Sequence, residues 1–234
     1  VGMSIYGHRT WLQQGEVFSI VFAVFERFSP LEIRSKGGPY LRPYGIGLLS
    51  RHPPSISLTV FVLALLATVT FDGFMETPIW LQMKNGVLST ESLVPSLLAV
   101  RGIFGNLDSV FETIGVVCAP IIFFAMYSLA CWTISLLASQ AGNQRNPTCT
   151  TILAARWFVL SLVPIAIAYH VAHYLSYFLI AGQLFIALLS DPLGLGWDIF
   201  NTAGRRVNIG IINAKTVWHI SIFVVVLGHV IAVY

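Results

Sequence analysis

Of the 234 residues, 56% are hydrophobic and 10% charged, against roughly 25% charged in an ordinary soluble domain. Thirteen Lys and Arg and ten Asp and Glu cannot cover a soluble globule of 25.8 kDa. Disorder and an ordinary soluble domain are therefore excluded, and an all-α polytopic transmembrane helix bundle remains. The net charge of +3 is small and its basic residues are scattered, so no nucleic-acid partner is expected.

The chain opens on Val1, shows no signal peptide and stops at Tyr234 inside an apolar run, so we expect it to be part of a longer protein. Residues 1–54 read as a cytoplasmic-side interfacial or re-entrant segment followed by a loop. Within them Glu16 to Phe28 is about 13 residues long with charge at both ends, too short to cross a bilayer. Ser35 to Pro54 is rich in Gly, Pro and Arg and reads as loop. Residues 55–234 read as the transmembrane domain. Its first span is the charge-free run Ser57 to Phe71, closed by the turn-forming pair Asp72-Gly73. Gly86 to Gly105, interrupted by Glu91, Pro95 and Arg101, is expected to lie along the membrane surface.

The second span runs from about Thr113 to Ala138 and carries Pro120, which kinks such a helix without ending it because neighbours satisfy the freed carbonyl. Thr151 to Leu189 is 39 residues of nearly unbroken apolar sequence. As one helix it would be ~58 Å long, nearly twice a hydrocarbon layer of ~30 Å. The expected span is Trp157 to about Ile180, with a break near Pro164 or Gly182. Val217 to Tyr234 is the last of about four spans.

With four crossings, one side receives Arg9, Arg27, Arg34, Lys36, Arg42, Arg51, Arg145 and Arg156, eight basic residues, and the other receives Lys84, Arg101, Arg205, Arg206 and Lys215, five. The excess of basic residues places the N-terminal segment in the cytoplasm. Asp72, Glu76, Glu91, Asp108, Glu112, Asp191 and Asp198 then fall outside, seven of the ten acids. Cys118, Cys131 and Cys149 have no metal-finger or CxxC spacing, and the first two read as small hydrophobes.

Ionisable residues inside a span are costly and mark functional positions by default. His170, His173, Tyr174 and Tyr177 follow an i, i+3, i+4, i+7 pattern, one stripe of a helix. Two imidazoles on adjacent turns can reach one metal ion, although HxxH lacks the glutamate of HExxH. The alternative is a pair of neutral histidines hydrogen-bonded to other helices, with the tyrosines in an interfacial belt. Counted from Arg156, His173 lies ~25 Å toward the outer side, and counted from Lys215, His219 lies ~6 Å in. Asp72, His173 and His219 are thus expected level near the outer face, with His170 one turn deeper. A carboxylate with two or three imidazoles suits Zn, Fe or Cu. Asp72, His170, His173 and His219 are the candidate metal ligands, while His229 lies deeper and outside that set. No GxSxG elbow, Walker loop, haem site or dinucleotide fingerprint is present.

Several blocks are familiar together: Trp11 to Phe18 (WLQQGEVF), Leu41 to Tyr44 (LRPY), Phe71 to Phe74 (FDGF), Tyr169 to Tyr174 with Gln183, Ser190 to Asp198, and Gly228 to Val230. Over most of its length the chain resembles the C-terminal half of bacterial polytopic membrane proteins labelled fenitrothion hydrolase. The resemblance implies an inner-membrane location, hydrolysis of an organophosphate triester and a further N-terminal membrane half. It implies no catalytic residues.

Three functions are compatible with these features. One is a subunit of a larger membrane complex, partnered by lipid and by other membrane subunits or the family's N-terminal half. Another is a metal-dependent hydrolase whose bound water is activated at the His/Asp site. A third, transport of a metal or proton along the histidine stripe, would need a longer polar path. The subunit reading is preferred because the soluble portion is small and no complete catalytic motif appears.

Overall fold

The computed structural model describes residues 2–34, 38–49, 52–141 and 150–233. Lys36, Arg51, Arg145, Cys149 and Tyr234, used above for orientation, cysteine spacing or span limits, lie outside the described residues. The chain divides into two compact units, Val1–Ala166 and Ile167–Tyr234.

The first unit begins with three short helices, α1 (Gly2–Tyr6), α2 (His8–Gln14) and α3 (Val17–Glu26). Glu16 caps α3, its carboxylate accepting from the amides of Phe18 and Ser19, so the charge that opens this apolar segment satisfies the helix's orphan donors. The next stretch departs from the loop expectation. Strands β1 (Leu31–Arg34) and β2 (Gly38–Leu41) pair antiparallel, Leu31 facing Leu41. The pairing is held from the side by Arg42, which meets Glu32 at 3.1 Å and donates to the Glu26 carbonyl at 2.8 Å. Composition favours a turn here, and a cross-strand ion pair lies beyond what local composition encodes.

Helix α4 (Ile56–Met75) is the centre of the unit. Ser55 caps it, accepting from the Leu58 amide. Val62, Leu63, Leu66, Ala67 and Val69 are buried along it, joined by Ala154, Val159, Leu160 and Val163 from later segments. The helix runs through Asp72 and Gly73 and ends a turn later, so these residues are helical and do not form the expected turn. The end comes at Thr77, which accepts from the Trp80 amide and caps α5 (Pro78–Leu88), with Pro78 at the first position, where its missing N–H costs nothing.

A bend of 69° separates α5 from the helical stretch Glu91–Phe104, which ends in α6 (Val94–Phe104). The pair is the geometry of a broken span or a re-entrant loop, where the sequence pointed to a segment lying along the surface. Helix α7 (Leu107–Ala141) continues unbroken through Pro120, and it packs on α4 and on α8 (Thr151–Phe158).

One turn of 3-10 helix, Val159–Leu162, separates α8 from α9 (Val163–Ser190). The discontinuity in the long apolar run is thus located just before Pro164 and not at Gly182. Proline supplies no N–H to the carbonyl four residues back and disfavours helical backbone in the residue before it, so the turn tightens at this point.

The second unit comprises α9 from Ile167 onward, a 23-residue connection and α10 (Ala214–Val233). Among the described residues four helical segments are long and apolar enough to cross a membrane: Ile56–Met75, Leu107–Gln140, Thr151–Ser190 and Ala214–Val233, with mean hydropathies of 1.9 to 2.2. The bent pair raises the number to five if it counts as one span. This is an all-α helical bundle whose composition and helix lengths are those of an integral membrane protein.

Candidate functional site

The histidine stripe forms as its spacing predicts. His170, His173, Tyr174 and Tyr177 all lie on α9, the imidazoles half-buried and the two tyrosines exposed. The Tyr174 ring stands edge-on to His173, centroids 4.8 Å apart, and 6.2 Å from His170. Tyr174 therefore packs against both imidazoles.

His219 lies in the second turn of α10. Its Nδ1 is 2.7 Å from the Lys215 carbonyl of the preceding turn, and the Trp218 ring lies edge-on at 5.1 Å. The tautomer that fits this bond carries its proton on Nδ1 and leaves Nε2 as the acceptor. His229 repeats the arrangement nearly three turns along, with Nδ1 2.8 Å from the Val225 carbonyl and Tyr169 at 6.3 Å. Asp72 belongs to the first unit, half-buried in the last two turns of α4. Among the described residues no group of three His, Cys, Asp or Glu side chains is placed to hold a metal ion.

The most heavily bonded part of the second unit is the connection from α9 to α10, which begins in the block Ser190 to Asp198 quoted for the resemblance. Ser190 is fully buried, and its Oγ accepts from the Phe200 amide at 2.9 Å and the Thr202 amide at 3.2 Å. The Thr202 hydroxyl lies 2.9 Å from both Ser190 Oγ and the Ile186 carbonyl. Asp191 turns its carboxylate onto the amides of Leu195 and Gly196, at 2.8 and 2.7 Å. Asp198, at φ 43°, accepts from the Ala203 amide at 2.8 Å. That bond, with smaller contributions from Ser190 and Thr202, holds the Asp198 carboxyl below the usual aspartate range.

Gln183 completes the frame. Its side-chain amide donates to the Asn208 carbonyl at 3.0 Å and accepts from the Asn208 amide at 2.9 Å. Polar groups thus point into the connection, while Leu193, Leu195, Trp197, Ile199 and Phe200 point out and are exposed. Such a loop suits the boundary of a bilayer, where an aromatic and aliphatic rim meets lipid and the backbone is satisfied internally.

Ser190→Ala leaves two amides without their acceptor at a site closed to water, at a cost of about 1–3 kcal/mol. The expected result is faster protease cleavage between residues 191 and 213 in detergent. Cleavage at the wild-type rate would show that Ser190 does not hold this connection.

Sequence reasoning missed three groups. Arg156, read as a boundary charge, donates through Nε to the Pro54 carbonyl at 2.6 Å and through Nη2 to the Pro53 carbonyl at 3.2 Å. Lys84 and Asp108 form an ion pair at 2.6 Å. Tyr127 on α7 donates to the Ala155 carbonyl at 2.7 Å. The available signal was the rarity of such groups in apolar sequence.

No protein-family model matches this chain, and no curated protein and no solved structure compared with it does either.

Proposed function

We propose that the chain is a subunit of a larger assembly in a bacterial inner membrane, its α10 face covered by another membrane helix. The observation that carries this reading is His229. The spans differ greatly in cover: the most apolar stretches of Ile56–Met75 and Thr151–Ser190 are 39% buried and those of Leu107–Gln140 and Ala214–Val233 6%. Bare apolar surface alone demands no partner, because lipid tails cover it as well as another helix does.

Polar side chains are different. Hydroxyls on the spans turn back onto their own helices, as Thr68, Thr70, Thr133 and Ser135 do by donating to carbonyls three or four residues earlier. His229 satisfies one ring nitrogen in that way and is exposed. It lies fourteen residues beyond Lys215, ~21 Å along the helix and within a hydrocarbon layer of ~30 Å. An imidazole there faces a bundle interior or a partner, since facing lipid costs an unpaired polar nitrogen. Within this unit α10 meets α9 at Ser221, whose hydroxyl donates to the Ala172 carbonyl at 3.2 Å, and at the Tyr169–His229 ring contact.

The test is extraction in mild detergent followed by mass determination. The native protein is expected to run above its monomer mass with a stoichiometric partner, and His229→Leu to release that partner. A stable monomer in both forms would overturn the reading.

A further inference from the structure

The first unit contains a cavity that none of the foregoing uses. It has a volume of about 430 Å³ and is walled by α4, α5 and α7, with Phe71, Trp80, Phe111, Cys118 and Ile122 among its lining residues. That volume falls within the range of about 300–1,000 Å³ typical of small-ligand sites. The lining is apolar apart from Thr70, whose hydroxyl donates to the Leu66 carbonyl of its own helix, and Lys84, which contributes its stem and carries its ammonium to Asp108 at 2.6 Å. Asp108 is 57% exposed, so the pair stands at the mouth.

Helix α7 gives the cavity a direction. Asp108 lies in its first turn and Phe123, the deepest lining residue along it, fifteen positions on, ~22 Å further into the layer. Charge at the interface with a hydrocarbon slot beneath it is the polarity of a lipid. The mouth also selects a headgroup. A lone lysine would favour an anion, but here a cation and an anion lie side by side, and an added anionic head would be set against Asp108. A zwitterionic head meets both, with its phosphate toward Lys84 and its ammonium toward Asp108.

We propose that this cavity holds the acyl chain of a zwitterionic phospholipid whose headgroup straddles the Lys84–Asp108 pair. The site requires a membrane and does not depend on the subunit reading.

Native mass spectrometry of the full chain from detergent tests it, with lysophosphatidylethanolamine and lysophosphatidylglycerol of equal chain length as probes. One bound lipid per chain is expected, with the zwitterionic probe about tenfold tighter. Asp108→Asn, which leaves Lys84 as a lone cation at the mouth, should erase that preference, and Ala119→Phe, which fills the slot, should remove binding of both. Equal affinity for the two probes in the wild type, tighter binding of the anionic one, or Ala119→Phe binding as the wild type does would overturn the proposal. If Ala119→Phe cannot be purified, Asp108→Asn decides, and a zwitterionic preference that survives it is a refutation.

Discussion

Gly115→Leu is expected to unfold the packing of α4 against α7. A Cβ built on Gly115 would stand 2.0 Å from Cζ of Phe71 and 2.6 Å from its Cε2. Phe71 is buried, with Trp80 edge-on at 5.4 Å and Phe74 at 6.5 Å, so a swing of the ring toward the neighbouring cavity gives up both aromatic contacts. In a membrane, where helices associate through close fit and not through exclusion of water, a small residue at the crossing sets how near two backbones come. Overpacking by a single methyl typically costs about 1–3 kcal/mol, so Gly115→Ala should lower the thermal midpoint in detergent and Gly115→Leu should prevent a cooperative transition. Phe71→Leu in the Gly115→Ala background should recover part of the loss, since the two positions share one volume. An unchanged midpoint in Gly115→Ala would show that the crossing is looser than described.

Arg156→Met should have an effect of similar size through a different cause. The carbonyls of Pro53 and Pro54 precede the first turn of α4, so no helical amide reaches them, and Pro54 is buried. The guanidinium supplies both bonds across more than a hundred residues of sequence and fastens α8 to the start of α4. Methionine retains most of the apolar stem and removes the donors, leaving a buried carbonyl unpaired at a cost of about 3 kcal/mol. Lysine has the charge without the planar fork and should restore about half of that. Thermal unfolding of the three proteins checks the order Arg, Lys, Met; equal midpoints would show that water replaces the guanidinium.

These two residues mark what the sequence makes legible. The four spans are readable because a run free of charge has no alternative to a helix in hydrocarbon, and Pro164 was one of the two places where the long run could break. The histidine stripe was equally open to reading, since a period of 3.6 is a local property of one helix. Asp72 misled as an end marker, because one carboxylate near a boundary does not stop a helix while backbone bonds continue, and the signal that did was Thr77-Pro78. The strand pair was hidden because it depends on Arg42 reaching Glu32 and Glu26. The lipid-shaped cavity was hidden for the same reason, since Lys84 and Asp108 become neighbours only when α5 folds back toward α7. Gln183, one of the residues quoted for the family resemblance, acquires a physical role in clasping Asn208.

The subunit reading turns on what faces His229 in the intact membrane. A photoreactive amino acid placed at that position, irradiated in whole membranes before any detergent is added, reports its neighbour directly. The reading predicts a single protein adduct of defined mass that disappears when the photoreactive group is moved to an exposed apolar position on α10 such as Phe223. Adducts with lipid alone at position 229 would contradict it.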